Sequence, residues 1–456
     1  MIVASLSQAA SVVQGNLIGP DATFRGVSTD TRSLREDELF VALKGPNFDG
    51  AAFVRDAAEK GAAGAIVSEA VDSTLAQIEV DDPLMALGDL AADWRRQLSV
   101  RVAGLTGSNG KTTVKEMLSA CLAEDDTTFA TVGNFNNEIG VPLMLLRLSP
   151  EHRYAVIEMG ANHAGEIAYL TDRVAPDVVT LTNAGPAHLE GFGSIEGVSR
   201  AKGEILQGSP RPAFAVLNAD DQYFSYWSGL VEDIRVISFG RADSADVRVS
   251  RATQLESGLD VELSIYGEAH RIGLAFEGQH NALNAAAAAA AATAMGVTTD
   301  KIVAGLSNAR PAAGRLRIVA GISGARLIDD SYNANPSSVM AAARLLGEQD
   351  GNGWLILGDM AELGPEADRF HREVGEQARA AGVGRLYCTG PHSRNAKDGF
   401  GNGGQWFESV DALIDAVIGE LQAAGPVNIL VKGSRSMHME RAVQALTDPA
   451  VLAEED

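Results

Sequence analysis

The sequence contains very little cysteine. Its 456 residues include 2 cysteines, Cys121 and Cys388, which stand far apart and fit no metal-ligand spacing. Both fall in apolar segments, so we expect buried core thiols. This cysteine usage is typical of a reducing compartment, and we therefore expect the protein in the cytoplasm.

Long apolar runs are lacking as well. The longest apolar stretches are short or rich in alanine, so none is expected to cross a bilayer as a helix. The opening segment, MIVASLSQAASVVQG, lacks the basic start of a secretory signal peptide. We expect no membrane span.

Basic residues are scarce relative to acidic ones. There are 37 Lys and Arg against 60 Asp and Glu, which gives a formal net charge of −23. A nucleic-acid-binding protein would be expected to show a basic stripe, and none is evident, so we expect no nucleic-acid partner. An anionic substrate must then be bound by local Arg, Lys and backbone N–H groups instead of the overall electrostatic field of the protein.

We expect a monomer.

The length predicts about three domains of ~150 residues each. Residues 1–82 are predicted to form a small α/β domain, with Asp81-Asp82-Pro83 as a linker. Residues 83–311 alternate strands with helices, which favours a parallel sheet covered by helices. The segment 310–314, RPAAG, marks the second boundary, and 312–456 form another doubly wound unit.

Strand and helix positions follow from the apolar pattern. A run of eight alanines, Ala285–Ala292, predicts a helix that can pack closely. An antiparallel extension is expected over Arg248–Ile272. The predicted strands are Leu39–Leu43, Gly64–Val67, Val100–Leu105, Tyr154–Glu158, Val178–Thr182, Phe214–Leu217, Arg326–Asp329, Trp354–Leu357, Arg385–Cys388 and Val427–Val431, with a further helix at Ala51–Lys60.

The segment T-G-S-N-G-K-T-T, residues 106–113, has the character of a phosphate-binding loop. Gly107 and Gly110 allow a tight turn that brings N–H groups close to an anion. Lys111 can reach the outer phosphates, and the Thr112 hydroxyl can bind a phosphate-bound Mg²⁺. Apolar residues at helical spacing follow, and a helix N-terminus favours phosphate. Leu105 stands where the strict P-loop pattern has its first glycine.

Three side chains follow the central strands, where open α/β sheets bind ligands. Glu158 ends the strand YAVIE and could bind Mg²⁺ through a hard oxygen. His188 follows the strand VVTLT, and Lys202 stands on a predicted helix. Taken singly, they also fit a strand-end acid, a surface histidine and a solvated lysine.

Further motifs occur in a telling order: NFNNEIGVP at 134–142, EMG, N-A-x-x-A-H-L-E-x-F-G, A-K-x-E, H-N-x-x-N-A, DDSYNANPSS at 329–338, LGDMAELG at 357–364 and KGSRSMHME at 432–440. With the phosphate loop, this series resembles the Mur ligases, the ATP-dependent amide-bond-forming enzymes of peptidoglycan synthesis. The resemblance spans nearly the whole chain. It implies an N-terminal substrate domain, a central P-loop ATPase domain and a C-terminal Rossmann-like domain.

Within that family, DDSYNANPSS and LGDMAELG resemble the member that adds D-alanyl-D-alanine to UDP-MurNAc-tripeptide. The sister member that adds a diamino acid carries a D-N-P-R motif, which is absent here. The resemblance therefore implies a ligase that forms an acyl phosphate on the tripeptide and then the pentapeptide. It also implies a role in cell-wall biogenesis, cell shape and cell division.

The resemblance implies catalytic roles for Lys111, Glu158, His188, Lys202 and Arg315. Thr112 and Glu158 would hold one Mg²⁺. His188 and Lys202 would hold a second, with CO₂ on Lys202 as a carbamate. ATP would contact Gly107, Ser108, Asn109, Gly110, Lys111, Thr112, Thr113, Asn281, Asn284, Arg315 and Asp330.

The resemblance also implies substrate contacts in all three domains. The uridine nucleotide would contact Ser28, Thr29, Asp30, Arg32, Asn47, Phe48 and Asp49, with further substrate contacts at Asn134 and Asn137. The dipeptide would contact Asn333, Asn335, Lys432 and Ser434.

Other functions remain open at this point. A folylpolyglutamate synthetase would share the loop and the carbamate lysine, but the N-terminal domain and DDSYNANPSS favour the Mur enzyme. A regulatory P-loop ATPase would leave His188 and Lys202 without a role. A non-catalytic binding paralogue should have lost Lys111 or Glu158, and both are present.

Overall fold

A computed structural model describes residues 1–45, 48–349, 352–424 and 426–452. Three α/β modules follow one another along the chain, and each is built on its own sheet of five, nine or six strands. In the ranges described, no helix combines the length and the apolar character needed to cross a bilayer.

The N-terminal module is a five-stranded sheet in the order β2-β9-β8-β5-β4, with β2 antiparallel to β9 and the other neighbours parallel. The predicted helix at Ala51–Lys60 is divided, because a 3₁₀ turn at Gly50–Phe53 precedes its α-helical part. The elements are β1 Val3–Ser5, α1 Leu6–Val12, β2 Asn16–Ile18, β3 Thr23–Arg25, β4 Val27–Ser28, β5 Leu39–Val41, β6 Lys44–Gly45, β7 Phe48–Asp49, α2 Val54–Glu59, β8 Gly64–Val67 and β9 Gln77–Glu79.

The central module is a nine-stranded sheet in the order β11-β12-β10-β13-β14-β15-β16-β17-β18. Its strands are parallel up to β16, and β16, β17 and β18 form the predicted antiparallel extension. The elements are α3 Pro83–Arg96, β10 Arg101–Thr106, α4 Lys111–Ala123, β11 Thr128–Ala130, α5 Gly140–Leu146, β12 Tyr154–Glu158, α6 Glu166–Val174, β13 Val178–Leu181, α7 Leu189–Phe192, α8 Ile195–Gly203, β14 Phe214–Asn218, α9 Phe224–Gly229, β15 Arg235–Gly240, β16 Val247–Gln254, β17 Leu259–Ile265, β18 Glu268–Leu274, α10 His280–Ala294 and α11 Thr299–Asn308.

The C-terminal module is a six-stranded sheet in the order β19-β20-β24-β21-β22-β23, parallel except at β19. The elements are β19 Arg317–Ala320, β20 Arg326–Asp330, α12 Pro336–Gly347, β21 Gly353–Gly358, α13 Ala367–Ala380, β22 Arg385–Thr389, α14 Ser393–Phe400, β23 Gly404–Phe407, α15 Val410–Ala424, β24 Asn428–Lys432, α16 Glu440–Leu446 and α17 Pro449–Leu452.

The central strands are buried on both faces, which explains their continuous apolar sequences. All five residues of β12 are buried, and so is every residue of β13. Helix α10 packs between α4 and the sheet, and its eight consecutive alanines are all fully buried. The alanine run is therefore a core element that lets α10 approach its neighbours closely.

The predicted linker at Asp81-Asp82-Pro83 is instead the start of a helix. The Asp82 side chain caps α3 by accepting a hydrogen bond of 2.8 Å from the Leu84 N–H, and Pro83 is its first residue. Aspartate at the cap and proline at the first position are strong helix-starting signals. Leu87 and Leu90 of α3 belong to one core shared by the N-terminal and central modules, so the two are joined by packing.

Candidate active site

The phosphate loop connects β10 to α4 and depends on two glycines in left-handed or strained conformations. Gly107 has φ 151° and Gly110 has φ 82°. A Cβ atom at Gly107 would lie 2.0 Å from the Thr182 hydroxyl, and one at Gly110 would lie 2.4 Å from the Asn284 amide oxygen. Only glycine can therefore occupy either position without moving its surroundings.

The loop is held in shape by the end of β13. The N–H of Ser108 donates to the Asn183 carbonyl at 3.0 Å, and the N–H of Asn109 donates to the Asn183 side chain, also at 3.0 Å. The Thr182 hydroxyl donates to the Asn109 carbonyl at 2.7 Å. Because the first N–H groups of α4 have no acceptor within the helix, they remain as donors for an anion. The loop therefore fits a nucleotide phosphate.

Lys111 is half-buried at the first position of α4 and folds back over the loop. Its Nζ donates to the Gly107 carbonyl at 2.7 Å. Burial lowers the pKa of Lys111, the charge of Glu158 opposes this shift, and the charge of Arg315 adds to it. A phosphate anion at the loop would offer the ammonium a second acceptor and favour its charged form.

Thr112 and Glu158 are in direct contact. The Thr112 hydroxyl donates to Glu158 Oε2 at 3.0 Å, and the Asn136 amide donates to Oε1 at 2.8 Å. The Glu158 carboxylate is only 2% exposed. A buried carboxylate next to a hydroxyl matches the oxygen ligands that Mg²⁺ prefers.

His188 and Lys202 both lie close to the Phe192 ring. The Lys202 Nζ is 5.3 Å from the ring centroid, and the His188 ring meets Phe192 edge-on at 6.4 Å. Lys202 is 1% exposed and donates to the Ala161 carbonyl at 3.2 Å. Burial, and secondarily the charge of Lys111, lowers the pKa of Lys202 to about 7. A large neutral fraction of this amine is therefore expected near neutral pH.

The Nδ1 atom of His188 contacts Oε2 of Glu362, a residue of the C-terminal module. This hydrogen bond lowers the pKa of Glu362 despite its partial burial. In the described part of the chain, no three His, Cys, Asp or Glu side chains converge as a metal site. Any ion bound here would therefore need other oxygen donors, such as the Thr112 hydroxyl, a carbamate or phosphate.

Arg315 reaches the phosphate loop from the C-terminal module. Its Nη2 donates to the Thr112 hydroxyl at 3.2 Å, and its guanidinium carbon lies 4.1 Å from the centroid of the Tyr332 ring. Its Nε is buried without a protein acceptor among the described residues. The guanidinium is thus positioned by an aromatic ring and keeps a donor available for an anion.

Asn335 and Asn109 form a second contact between these modules. The Asn335 amide donates to the Asn109 side chain at 2.8 Å, and the Asn109 amide donates to the Ser337 hydroxyl at 3.2 Å. Asn335 also caps α12 by accepting from the Ser338 N–H. The phosphate loop and the N-terminus of α12 therefore face each other directly.

Lys432 forms a buried ion pair with Asp330. The Nζ–Oδ2 distance is 2.6 Å, and the same Nζ donates to the Asn333 carbonyl at 2.8 Å. Burial lowers the pKa of Lys432, while the charge of Asp330 opposes this shift. Ser434 accepts a hydrogen bond of 2.6 Å from the Ala361 N–H. Lys432 and Ser434 therefore shape the site wall through contacts within their own module.

Two neighbouring cavities meet at the phosphate loop. The first has a volume of about 340 Å³, and the second about 260 Å³. Predicted site residues in the first are Ser108, Asn109, Gly110, Lys111, Thr112, His188, Arg315, Asn333, Asn335, Lys432 and Ser434. Predicted site residues in the second are Asn109, Gly110, Thr113, Asn281, Asn284, Arg315, Asp330 and Lys432.

The residues predicted to bind the uridine nucleotide lie apart from these cavities, in the N-terminal module. Asp30 accepts hydrogen bonds from the Arg32 guanidinium, which lowers its pKa to about 2. The Phe48 side chain is exposed, and Asn47 lies outside the described residues. The described members of the set, Ser28, Thr29, Asp30, Arg32, Phe48 and Asp49, line neither cavity, nor do Asn134 and Asn137.

Several residues of the site were not singled out from the sequence. Asn136 contacts Glu158. Glu362 contacts His188, and Tyr332 stacks on Arg315. All three fall within motifs recognised in the sequence, but the pattern does not show which side chain of each motif points into the site.

Comparison with known proteins identifies the family. Family models match at residues 23–95 (Mur ligase family, catalytic domain), 105–292 (Mur ligase middle domain) and 314–435 (Mur ligase, glutamate ligase domain). The UDP-N-acetylmuramoyl-tripeptide–D-alanyl-D-alanine ligase of Escherichia coli K12 is 42% identical over 449 residues, covering 98% of this chain and 99% of the relative.

The chain belongs to the Mur ligase family. This Mur ligase is also similar to a crystal structure of MurF from Acinetobacter baumannii, with a TM-score of 0.92, 34% identity and coverage of 97% and 98% of the two chains. A MurF ligase from Thermotoga maritima in complex with ADP matches with a TM-score of 0.82, 28% identity and coverage of 92% and 96%. These matches confirm the predicted family and its three-module α/β fold.

Proposed function

We propose that this Mur ligase joins D-alanyl-D-alanine to UDP-MurNAc-tripeptide, using ATP, in cytoplasmic peptidoglycan synthesis. The relatives that match over both full lengths carry the name of that activity. The contact between Arg315 and Thr112 is the structural observation that carries the proposal, because it brings the C-terminal module to the ATP phosphate loop. We propose the division into domains at 1–82, 83–311 and 312–456.

The second cavity suits the nucleoside part of ATP. Asn281 and Asn284 line it from α10, and Asp330 lines it from β20. The polar side chains of Asn284 and Asp330 can bind the hydroxyls and ring nitrogens of an adenosine. The phosphates would then run along the loop towards Lys111 and Arg315, which line the first cavity.

The donor set fits two Mg²⁺ ions. Thr112 and Glu158 would hold one ion, and His188 with a carbamate on Lys202 would hold the other. Bound Mg²⁺ neutralises phosphate oxygens during phosphoryl transfer. The buried Lys202 amine, with its pKa of about 7, supports carbamate formation, because only an uncharged amine adds CO₂.

In the reaction, the terminal carboxylate of the tripeptide attacks the γ-phosphate, and ADP leaves. The amine of the dipeptide then attacks the acyl phosphate, and inorganic phosphate leaves. Lys111 and Arg315 would stabilise the charge on the transferred phosphoryl group. Acyl phosphates hydrolyse in water. The contacts between the phosphate loop and α12 would therefore also serve to exclude water from the site.

The acceptor would bind in the first cavity, beside Asn333, Asn335 and Ser434. The uridine nucleotide would bind on the N-terminal module, near Asp30 and Arg32. In this arrangement the two substrates enter from different modules and meet at the γ-phosphate.

The test is phosphate release with UDP-MurNAc-tripeptide, comparing D-alanyl-D-alanine with a free diamino acid, and mass spectrometry of the product. We expect stoichiometric pentapeptide with the dipeptide and almost none with the diamino acid. The reverse preference would assign the chain to the diamino-acid-adding ligases. Phosphate release without an amide product would instead support a regulatory ATPase.

A further inference from the structure

His188 and Glu362 meet across two modules, and both have unusual backbones. His188 follows β13 of the central module, and Glu362 follows β21 of the C-terminal module. Their φ angles are 53° and 61°, in the left-handed region that non-glycine residues rarely adopt. Such conformations persist where surrounding structure enforces them, often at functional sites. Side-chain contact between two such residues is therefore a candidate for a functional role.

The backbone supports the same contact. The Glu190 N–H donates to the Glu362 carbonyl at 3.2 Å, so the segment after β13 is bonded to the C-terminal module as well. His188 and Glu362 both line the first cavity, together with Lys111 and Thr112. The pair therefore lies in the same cavity as the phosphate loop.

The loop that carries Glu362 is held by hydrogen bonds within the C-terminal module. The Met360 N–H donates to His371 Nε2 at 2.9 Å, and the Ala361 N–H donates to the Ser434 hydroxyl at 2.6 Å. His371 is fully buried. Two consecutive N–H groups are thus bonded just before Glu362, which fixes where its carboxylate points.

The contact uses one of the two ring nitrogens of His188. Nδ1 faces Glu362 Oε2, and a carboxylate accepts a hydrogen bond from an imidazole N–H. With the proton held on Nδ1, Nε2 carries the free lone pair of the neutral ring. Histidines that bind metals usually donate their other N–H to a carboxylate or carbonyl, which fixes the tautomer and the ring orientation.

We propose that Glu362 is a positioning residue that holds His188 in the Nδ1–H tautomer, with Nε2 presented for the second Mg²⁺. The inference rests on the proposed function, which assigns that ion to His188. Since Glu362 belongs to the C-terminal module, His188 is held in this tautomer only when that module is docked on the central one. Metal binding and module closure would then be coupled through the contact between His188 and Glu362.

The first test measures Mn²⁺ binding by electron paramagnetic resonance, with a non-hydrolysable ATP analogue, UDP-MurNAc-tripeptide and bicarbonate present. In Glu362→Ala we expect the affinity for the second ion to fall by about 10- to 100-fold, with the first ion unaffected. Glu362→Gln keeps a hydrogen-bond acceptor and should recover part of that loss. His188→Ala should remove the second ion, and adding Glu362→Ala to it should change nothing further.

The matched control is Glu366→Gln. Glu366 belongs to the same module, and its largely exposed carboxylate pairs with Arg369 at 2.6 Å. The change removes one negative charge four residues along the chain from Glu362, and its ion-pair partner is Arg369 instead of His188, so both ions should bind as in the wild type.

The second test needs neither metal nor turnover. Long-range ¹H–¹⁵N spectra of histidine-labelled protein, with the ATP analogue and UDP-MurNAc-tripeptide bound, report which ring nitrogen carries the proton. His188→Gln would assign the signal. We expect the Nδ1–H tautomer in the wild type and in Glu366→Gln, and its loss in Glu362→Ala.

The outcomes separate this inference from the proposed function. A wild type that binds a single ion would overturn the proposed metal set and the inference with it. Two ions of unchanged affinity in Glu362→Ala, or an Nε2–H tautomer in the wild type, would overturn the inference alone. A raised KM for the dipeptide in Glu362→Ala, with metal affinity and tautomer unchanged, would also overturn it and assign Glu362 to the acceptor.

Discussion

Arg315 and Thr112 are hydrogen-bonded across the junction between the C-terminal and central modules, with 3.2 Å between Nη2 and Oγ1. Thr112 stands in the first turn of the helix that follows the phosphate loop, while Arg315 stacks on Tyr332 in the other module. A phosphate group bound at the loop would therefore contact both modules at once.

Removing the Arg315 side chain should weaken ligand-induced closure. Small-angle scattering should show compaction with the ATP analogue plus UDP-MurNAc-tripeptide in the wild type, and clearly less in Arg315→Ala. Turnover should fall by about 10²- to 10³-fold, because a donor to the transferred phosphoryl group is lost. Arg310→Ala, which removes an exposed arginine near the same boundary, should behave as the wild type. Equal compaction in Arg315→Ala and the wild type would contradict the prediction.

Lys111→Ala should abolish turnover and leave the fold intact. Among the described residues, the Lys111 side chain donates its hydrogen bond to its own loop, at the Gly107 carbonyl, and we expect it to contribute little to packing. A lost phosphate contact should reduce the rate by about 10²- to 10³-fold. Coupled phosphate-release assays and thermal melting would measure both effects, with Lys301→Ala, a partly exposed lysine that pairs with Asp125, as control. A rate above about a tenth of the wild type would show that Lys111 is not a phosphate contact.

Lys202→Ala should be nearly inactive and should regain part of its activity when a short-chain carboxylic acid is added. The acid would replace the carbamate oxygens in the space left by the buried side chain. Lys202→Arg should stay inactive, because a guanidinium keeps its charge and cannot add CO₂. The same acid should not rescue Lys111→Ala, which controls for a general effect. An active Lys202→Arg would exclude the carbamate.

The ion pair of Asp30 and Arg32 predicts a pH effect in the N-terminal module. The Arg32 hydrogen bonds hold the pKa of Asp30 at about 2, below its ordinary value of 3.8. Because the Asp30 pKa is lower in the folded protein than in the unfolded chain, its charged carboxylate stabilises the fold above pH 3.8. This stabilisation is lost as the pH falls towards 2. Because both side chains are solvent-exposed, the effect on unfolding should be small and weakened by salt.

Carboxyl ¹³C titration measures the pKa of Asp30 directly. Arg32→Ala should move the midpoint up from about 2 towards 3.8, and Arg55→Ala, which breaks a different exposed pair, should not. An unmoved midpoint in Arg32→Ala would show that other groups lower this pKa.

Elements set by local pattern were predicted well from the sequence. The strand Tyr154–Glu158 has the predicted bounds, and the phosphate-loop helix starts at Lys111. Both depend on short-range signals: an apolar run in a buried strand, and glycines before a helical repeat. Asp82 and Pro83 carry an equally local signal for a helix start, but the same residues are common in loops, and the linker expected from them is wrong.

Side-chain contacts between modules cannot be predicted from such local patterns. Nothing in the LGDMAELG motif indicates that Glu362 faces His188, because the two residues are brought together by the docking of separate sheets. Likewise, the Asn136 side chain donates to Glu158, while that of Asn137 accepts from the Gly140 N–H, and this difference depends on the conformation of one loop. Sequence pattern predicts which segments surround a site more readily than which side chain of each segment enters it.

The alanine run of α10 has a mechanical consequence. Alanine has no χ angles, so this helix has no rotamers with which to absorb a change in its neighbours. At its N-terminal end, Asn284 lies so close to Gly110 that no Cβ would fit between them. Any displacement of α4 or of the central sheet must therefore move α10 as a rigid rod, and the wall of the second cavity moves with it. Asn281 and Asn284, which we propose to face the adenosine, and the phosphate loop are thereby kept at a fixed spacing.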